Sequence, residues 1–307
     1  AVLNADDPHV ARMARQSRGS VVYFSMARNR GEEGYDRVDG HCGRGGAAMV
    51  VQQTDDGELV VLRHAARTMP LLYTHQIPAT FEGRARMNVA NALAAAGAAW
   101  AAGAHLHDIR QGLRTFTTSF FQAPGRLNEI QVDGYKVFLD YCHNVDGMRR
   151  LTEFVELMMR PPSPVAEAID GGSGGRRGTA IGVIGIPGDR RDDDHREYGR
   201  LAGHSFDTIV VREDKKLRGR KPGESADLVM AGVSKAQREG GRCSAVSIVT
   251  DEMAAVTTGM AQAAPGDLVM VCSDDITGAY RQVMEEVRRK GGGGAISHPG
   301  EFEVEEG

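Results

Sequence analysis

Apolar positions in the second half of the chain follow a repeating plan. Short apolar runs alternate with longer segments whose apolar side chains recur at helical spacing. The runs at 136–140, 179–185, 207–212, 245–249 and 267–272 predict buried strands. The segments 146–160, 192–203, 223–238, 251–263 and 276–290 predict helices. This β-α alternation predicts an α/β fold with a parallel, doubly wound, Rossmann-like sheet. The first part reads differently. Strands are predicted at 2–3 and 21–24, and two more at 47–53 and 58–63 flank Asp55-Asp56-Gly57, a hairpin signal. Residues 83–102 are Ala-rich and stop at Gly103, which predicts a helix. Ile109, Leu113 and Phe116 mark a short amphipathic helix over 107–116. There is no internal repeat.

Two domains are expected, 1–120 and 121–290, with a disordered Gly-rich and acidic tail at 291–307. Residues 171–178 read as a flexible surface insertion. Composition adds limits. At 307 residues, with 41% hydrophobic and 25% charged residues, the chain reads as soluble and globular. No apolar run approaches the roughly 18 residues that a membrane helix needs. Net charge is −4 and the basic residues are scattered, so neither a nucleic acid nor a membrane is an expected partner. Cys42, Cys142, Cys243 and Cys272 form no CxxC pair and read as buried thiols of a cytoplasmic protein. His41, His64, His75, His105 and His107 show no metal-ligand spacing, and no metal site is expected in this chain.

Candidate chemistry sits where predicted strands end. The run 137–139 stops abruptly at Asp140, with His143 and Asn144 following. A buried parallel strand delivers polar groups to the carboxyl edge of a sheet in this way, although Asp and Asn also form turns on their own account. The strand at 179–185 leads into Pro187-Gly188-Asp189-Arg190-Arg191 and then Asp192 to Asp194. The turn could cradle an anion and its arginines could clamp a carboxylate or phosphate. The three aspartates suit a helix start. The strand at 207–212 leads into a mixed-charge stretch from Glu213 to Glu224. That stretch suits a zwitterionic or guanidinium-bearing ligand, or is a solvated loop. Asn88 and Asn91 near the start of an Ala-rich helix serve capping and packing, or offer an amide to an adenine.

Several strings resemble those of the Mur-type ligases, in family order over almost the whole chain. They are Val-Leu-Asn-Ala-Asp-Asp-Pro at 2–8, Gly-Arg-Ala-Arg-Met-Asn-Val-Ala-Asn at 83–91, Pro-Gly-Arg-Leu-Asn at 124–128 and Asp-Tyr-Cys-His-Asn at 140–144. Gly-Asp-Arg-Arg-Asp at 188–192 and Arg-Gly-Arg-Lys-Pro-Gly-Glu at 218–224 are closer to a branch that adds arginine to the side-chain carboxylates of an aspartate polymer. The resemblance implies the end of a central ATPase domain followed by the Rossmann-like C-terminal domain of an ATP-dependent amide ligase. A carboxylate would be phosphorylated by ATP, and an amine would attack the acyl phosphate. It implies ATP contacts from Asn91, Arg126, Asp140, His143 and Asn144. It implies substrate contacts from Asp189, Arg190, Asp214, Arg218, Arg220 and Glu224. ATP, arginine and the aspartate polymer are the implied partners, with self-association of the full-length enzyme. Two departures stand out. Cys142 and Val145 replace the family's Ala and Pro, and no GxxGK[ST] loop occurs. The family's P-loop and Mg2+ ligands lie upstream of a match to 2–8. The chain is therefore expected to be a fragment, inactive alone, or a degenerate relative. A non-catalytic binding or scaffolding module, and a ligase for glutamate or an aspartyl-arginine dipeptide, remain alternatives.

Overall fold

The computed structural model describes residues 1–160 and 178–290. The predicted tail, and all but the last residue of the predicted insertion, lie outside the described residues. The chain divides into two compact units, Ala1–Thr117 and a second beginning at Thr118.

The first unit has a five-stranded sheet in chain order. Strands β1 (Val2–Asn4), β2 (Val22–Ser25) and β3 (Ala47–Thr54) are parallel, while β4 (Gly57–His64) and β5 (Arg67–Tyr73) continue antiparallel. Helix α1 (Pro8–Arg12) is short and α2 (Glu33–Gly43) longer. Helices α3 (Arg86–Ala101) and α4 (Leu106–Thr115) follow β5. Helix α3 lies close on the sheet because it is built of small residues, and a Cβ on Gly97 would meet Val2, Val22 and Met49 at 3.3–3.5 Å. The helix starts at Arg86, later than its Ala pattern suggests, because Phe81, Glu82 and Gly83 all have positive φ.

Strand β5, helix α2 and, in the second unit, strand β6 (Asn128–Val132) are not anticipated from the pattern. Strand β5 carries Pro70, which an edge strand tolerates. Helix α2 contains three glycines and owes its place to burial of Val38 and Cys42.

In the second unit the sheet order is β10-β9-β8-β11-β7-β6. Strands β7 (Tyr135–Asp140), β8 (Ala180–Ile184), β9 (Thr208–Val211), β10 (Ala245–Ile248) and β11 (Leu268–Cys272) are mutually parallel. Edge strand β6 (Asn128–Val132) runs antiparallel to β7 through a tight turn at Asp133 and Gly134, both at positive φ. The helices are α5 (Val145–Met158), α6 (Asp192–Ser205), α7 (Glu224–Arg238), α8 (Glu252–Ala261) and α9 (Ile276–Arg289). Every residue of β8 and β11 is buried, as expected of central parallel strands covered on both faces. The shared direction brings the segments after β7, β8, β9 and β11 to one edge of the sheet.

Candidate functional site

A cleft of about 250 Å3 opens at that edge. All four strand ends line it: Tyr141 and His143 after β7, Pro187 and Arg190 after β8, Arg212, Asp214 and Arg218 after β9, and Asp274 after β11.

One wall is organised by Asp140. Its Oδ1 accepts the Cys142 N–H at 2.9 Å and its Oδ2 accepts the Leu127 N–H at 3.0 Å. Leu127 (φ 50°) and Cys142 (φ 24°) both stand in a region that non-glycine residues rarely adopt. The carboxylate therefore holds two unfavourable turns against each other. Burial pushes its pKa up, although the two backbone N–H bonds oppose the shift. Asn128 supports the first turn, accepting from the Gly125 N–H at 2.7 Å and donating to the carbonyls of Thr118 and Ala123 at 2.8 Å. A side chain at Gly125 would sit 2.6 Å from the Tyr141 ring.

Among the residues predicted to meet ATP, Arg126 lies over the Tyr141 ring at 5.4 Å, and His143 is exposed at the cleft. Asp140 and Asn144 each accept backbone N–H groups. Asn144 caps α5, accepting the Gly147 N–H at 2.7 Å. Asn91 belongs to the first unit, where its exposed amide donates to Asn88 at 3.3 Å. Asn88 itself donates to the Ala79 carbonyl at 2.7 Å, which is a packing role.

The predicted substrate residues divide into those at the cleft and those that build it. Arg190 and Arg218 line the cleft, and each reaches Asp189, at 3.4 and 3.3 Å. Arg220 is committed inward. Its Nε donates to the Gly188 carbonyl and its Nη2 to the Arg190 carbonyl, both at 2.7 Å. It also bonds Asp192 and Glu224, each at 2.9 Å. Glu224 receives the Lys221 N–H at 3.0 Å as well. Arg220 and Glu224 thus tie the 213–224 stretch to the 187–192 turn. Asp192 to Asp194 lie within the first turn of α6, and its N-cap is Arg191.

The floor of the cleft is a buried charge cluster. Arg212 and Asp214 are 3% and 5% exposed, and Nη1 of Arg212 donates to Oδ1 of Asp214. The Oδ2 atom of Asp214 is buried with no hydrogen-bond partner. Nε of Arg212 donates to the Cys272 carbonyl at 2.9 Å and lies 3.7 Å from Glu252 Oε1. Burial works against the charge of Arg212, but Glu252 and Asp214 outweigh it and hold its pKa above the usual value. Glu213 is buried too. It accepts the N–H groups of Gly223, Ser225 and Ala226 at 2.8–3.2 Å and so caps α7 from a distance. Sequence reading missed Arg212 and Glu252. Its one available signal was a charge placed directly after the apolar run of β9.

Residues 125–274 match the family model described as Mur ligase, glutamate ligase domain. The second unit is a Mur ligase C-terminal domain. The chain is similar to cyanophycin synthetase of Crocosphaera subtropica, 37% identical over 91% of this chain and 28% of that protein. It is also 37% identical to cyanophycin synthetase of Synechocystis sp., over 92% of this chain and 29% of that protein. The chain thus spans a little over a quarter of these relatives, and corresponds to their C-terminal portion. Among solved structures, E. coli FolC in complex with DHPP and ADP aligns with a TM-score of 0.56 and 18% identity. That alignment covers 94% of this chain and 54% of FolC. MurF ligase from Thermotoga maritima in complex with ADP gives 0.52 and 15%, over 94% and 54%. At these identities the structural likeness concerns the fold. No helix among the described residues is long and apolar enough to cross a membrane.

Proposed function

We propose that this chain forms part of an ATP-dependent amide ligase that adds arginine to the side-chain carboxylate of an aspartate polymer. The observation that carries the reading is the cleft floor. Asp214 lines the cleft together with Arg190 and Arg218, and one of its carboxylate oxygens is buried without a partner. A buried acceptor left unpaired is costly, and a ligand's guanidinium would satisfy it with a charge-assisted bond. The two arginines suit that ligand's α-carboxylate. The names of the cyanophycin synthetase relatives and the Mur ligase domain support the reaction class.

In the reaction, an acceptor carboxylate oxygen takes the γ-phosphoryl group of ATP and releases ADP. The α-amino group of arginine, after losing a proton, attacks the resulting acyl phosphate. The amide forms and phosphate leaves. On this reading Arg126 and His143 meet the phosphates and ribose, and Asn91 the adenine. Asp140 and Asn144 fix the backbone that presents them. The reading also calls for Mg2+. Among the described residues no three His, Cys, Asp or Glu side chains gather as a metal site, so no step is assigned to that ion.

The test is arginine KM in the full-length ligase at saturating ATP. Asp214→Ala and Arg218→Ala should each raise it about tenfold to a hundredfold, the effect of losing one charge-assisted bond. Lysine, which lacks the fork, should be a poorer substrate at the same site. Unchanged arginine KM and unchanged lysine discrimination in both variants would place specificity elsewhere.

A further inference from the structure

We propose that Glu252, which does not line the cleft, determines that the cleft selects a cation. This rests on the reading of the cleft as an arginine site.

Three ionisable groups are buried together beneath the cleft: Arg212 at 3%, Asp214 at 5% and Glu252 at 2% exposure. Arg212 lies between the two acids, hydrogen-bonded to Asp214 and 3.7 Å from Glu252. One positive and two negative charges leave the cluster one negative charge in excess. Without Glu252 the floor would be a neutral Arg212–Asp214 pair, and Asp214 Oδ2 would act as a dipolar acceptor only. With it, one guanidinium is shared between two carboxylates and the excess charge is expressed at the free oxygen. At buried distances such a charge acts through several ångströms.

The placement of Glu252 is built in. Its Oε1 accepts the Ser273 hydroxyl at 2.6 Å and the Asp274 and Asp275 N–H groups at 2.7 and 3.3 Å. Those donors belong to the segment after β11 that supplies Asp274 to the cleft wall. The charged and titratable groups that line the cleft beside the cluster are Arg190, Arg218, His143 and Asp274. Arg190 and Arg218 both pair with Asp189, and among the described residues the ion pair of Asp214 is to Arg212. Glu252 is thus a positioning residue that acts through Arg212.

The experiment compares calorimetric binding of L-arginine and L-citrulline, its uncharged isostere, to the full chain. The unmodified protein should prefer arginine. Glu252→Gln keeps an oxygen for the Ser273 and Asp274 donors but removes the charge. It should lower the arginine-over-citrulline preference about tenfold, with the larger loss falling on arginine. Glu252→Asp should restore most of the preference. Ser273→Ala, which withdraws one donor from Glu252, should lower it by about two- to threefold and serves if Glu252→Gln unfolds. Preference retained in Glu252→Gln or, where that variant unfolds, in Ser273→Ala overturns the assignment. If Asp214→Asn loses the preference while Glu252→Gln keeps it, the arginine reading stands and the role of Glu252 falls. If the unmodified chain shows no preference, the arginine reading fails first and takes this inference with it.

Discussion

Asp140, at the end of β7, ties two backbone segments together. Its place at a strand end suggested a nucleotide contact, and both of its oxygens turn out to accept backbone N–H groups. Asp140→Ala should therefore cost about 2–3 kcal/mol, because two buried amides lose their acceptor. Urea denaturation of the variant checks this, and unchanged stability would remove the latch. The pH response has a definite sign. The folded-state pKa of Asp140 is raised by burial, so the folded form favours the proton. Its contribution is most favourable below the ordinary aspartate range and declines as pH rises to the folded value. Asp214, Arg218, Asp189 and Arg190 were legible as candidates, since charges following apolar runs stand out in sequence. Arg212 and Glu252 were not. Their relation crosses 40 positions, one helix and one strand, and only tertiary packing makes it.

At the scale of elements, the five parallel strands and their helices were readable because buried runs and amphipathic spacing alternate cleanly. Strand β6 was not, since Glu129 and Gln131 interrupt its apolar positions at an edge. Strand β5 and helix α2 were hidden by Pro70 and by glycines, whose local preference packing overrides. The close contact of α6 and α7 depends on Gly199 and Gly232. A Cβ at Gly199 would lie 2.1 Å from the Val229 carbonyl oxygen, and one at Gly232 would lie 2.0 Å from that of Arg196. Either Gly→Ala change should destabilise the second unit by about 1–3 kcal/mol despite the better helix propensity of alanine. A thermal melt that rises instead would contradict that packing. In the first unit, Glu58 is gripped by Arg86 at 2.6 Å and by Arg28. Burial raises its pKa, but the two arginines together pull it below the usual glutamate value. The lowered folded pKa means that the stabilisation is complete above the ordinary glutamate range and is lost as pH falls through the folded value. Glu58→Gln should cost about 3 kcal/mol at pH 7, and the gap to the unmodified chain should close in acid. Denaturant curves at both pH values decide this.

At the scale of the molecule, the chain spans about 28% of the cyanophycin synthetase relative from Crocosphaera subtropica, and its sequence carries no GxxGK[ST] loop. In P-loop enzymes that loop cradles the phosphates and its lysine neutralises their charge during phosphoryl transfer. The purified chain should therefore release no phosphate from ATP when arginine and an aspartate polymer are added. Steady arginine-dependent release in a coupled phosphate assay would show that this chain suffices.

Because one carboxylate ties the 124–128 turn to the 141–144 turn, Arg126 and His143 are not independent of each other. Their backbones are held before any ligand arrives, so on the proposed reading a phosphate bound by both side chains would lose little entropy in ordering them. Substitutions at Arg126 and His143 should then be non-additive while Asp140 is intact, and become additive once it is replaced.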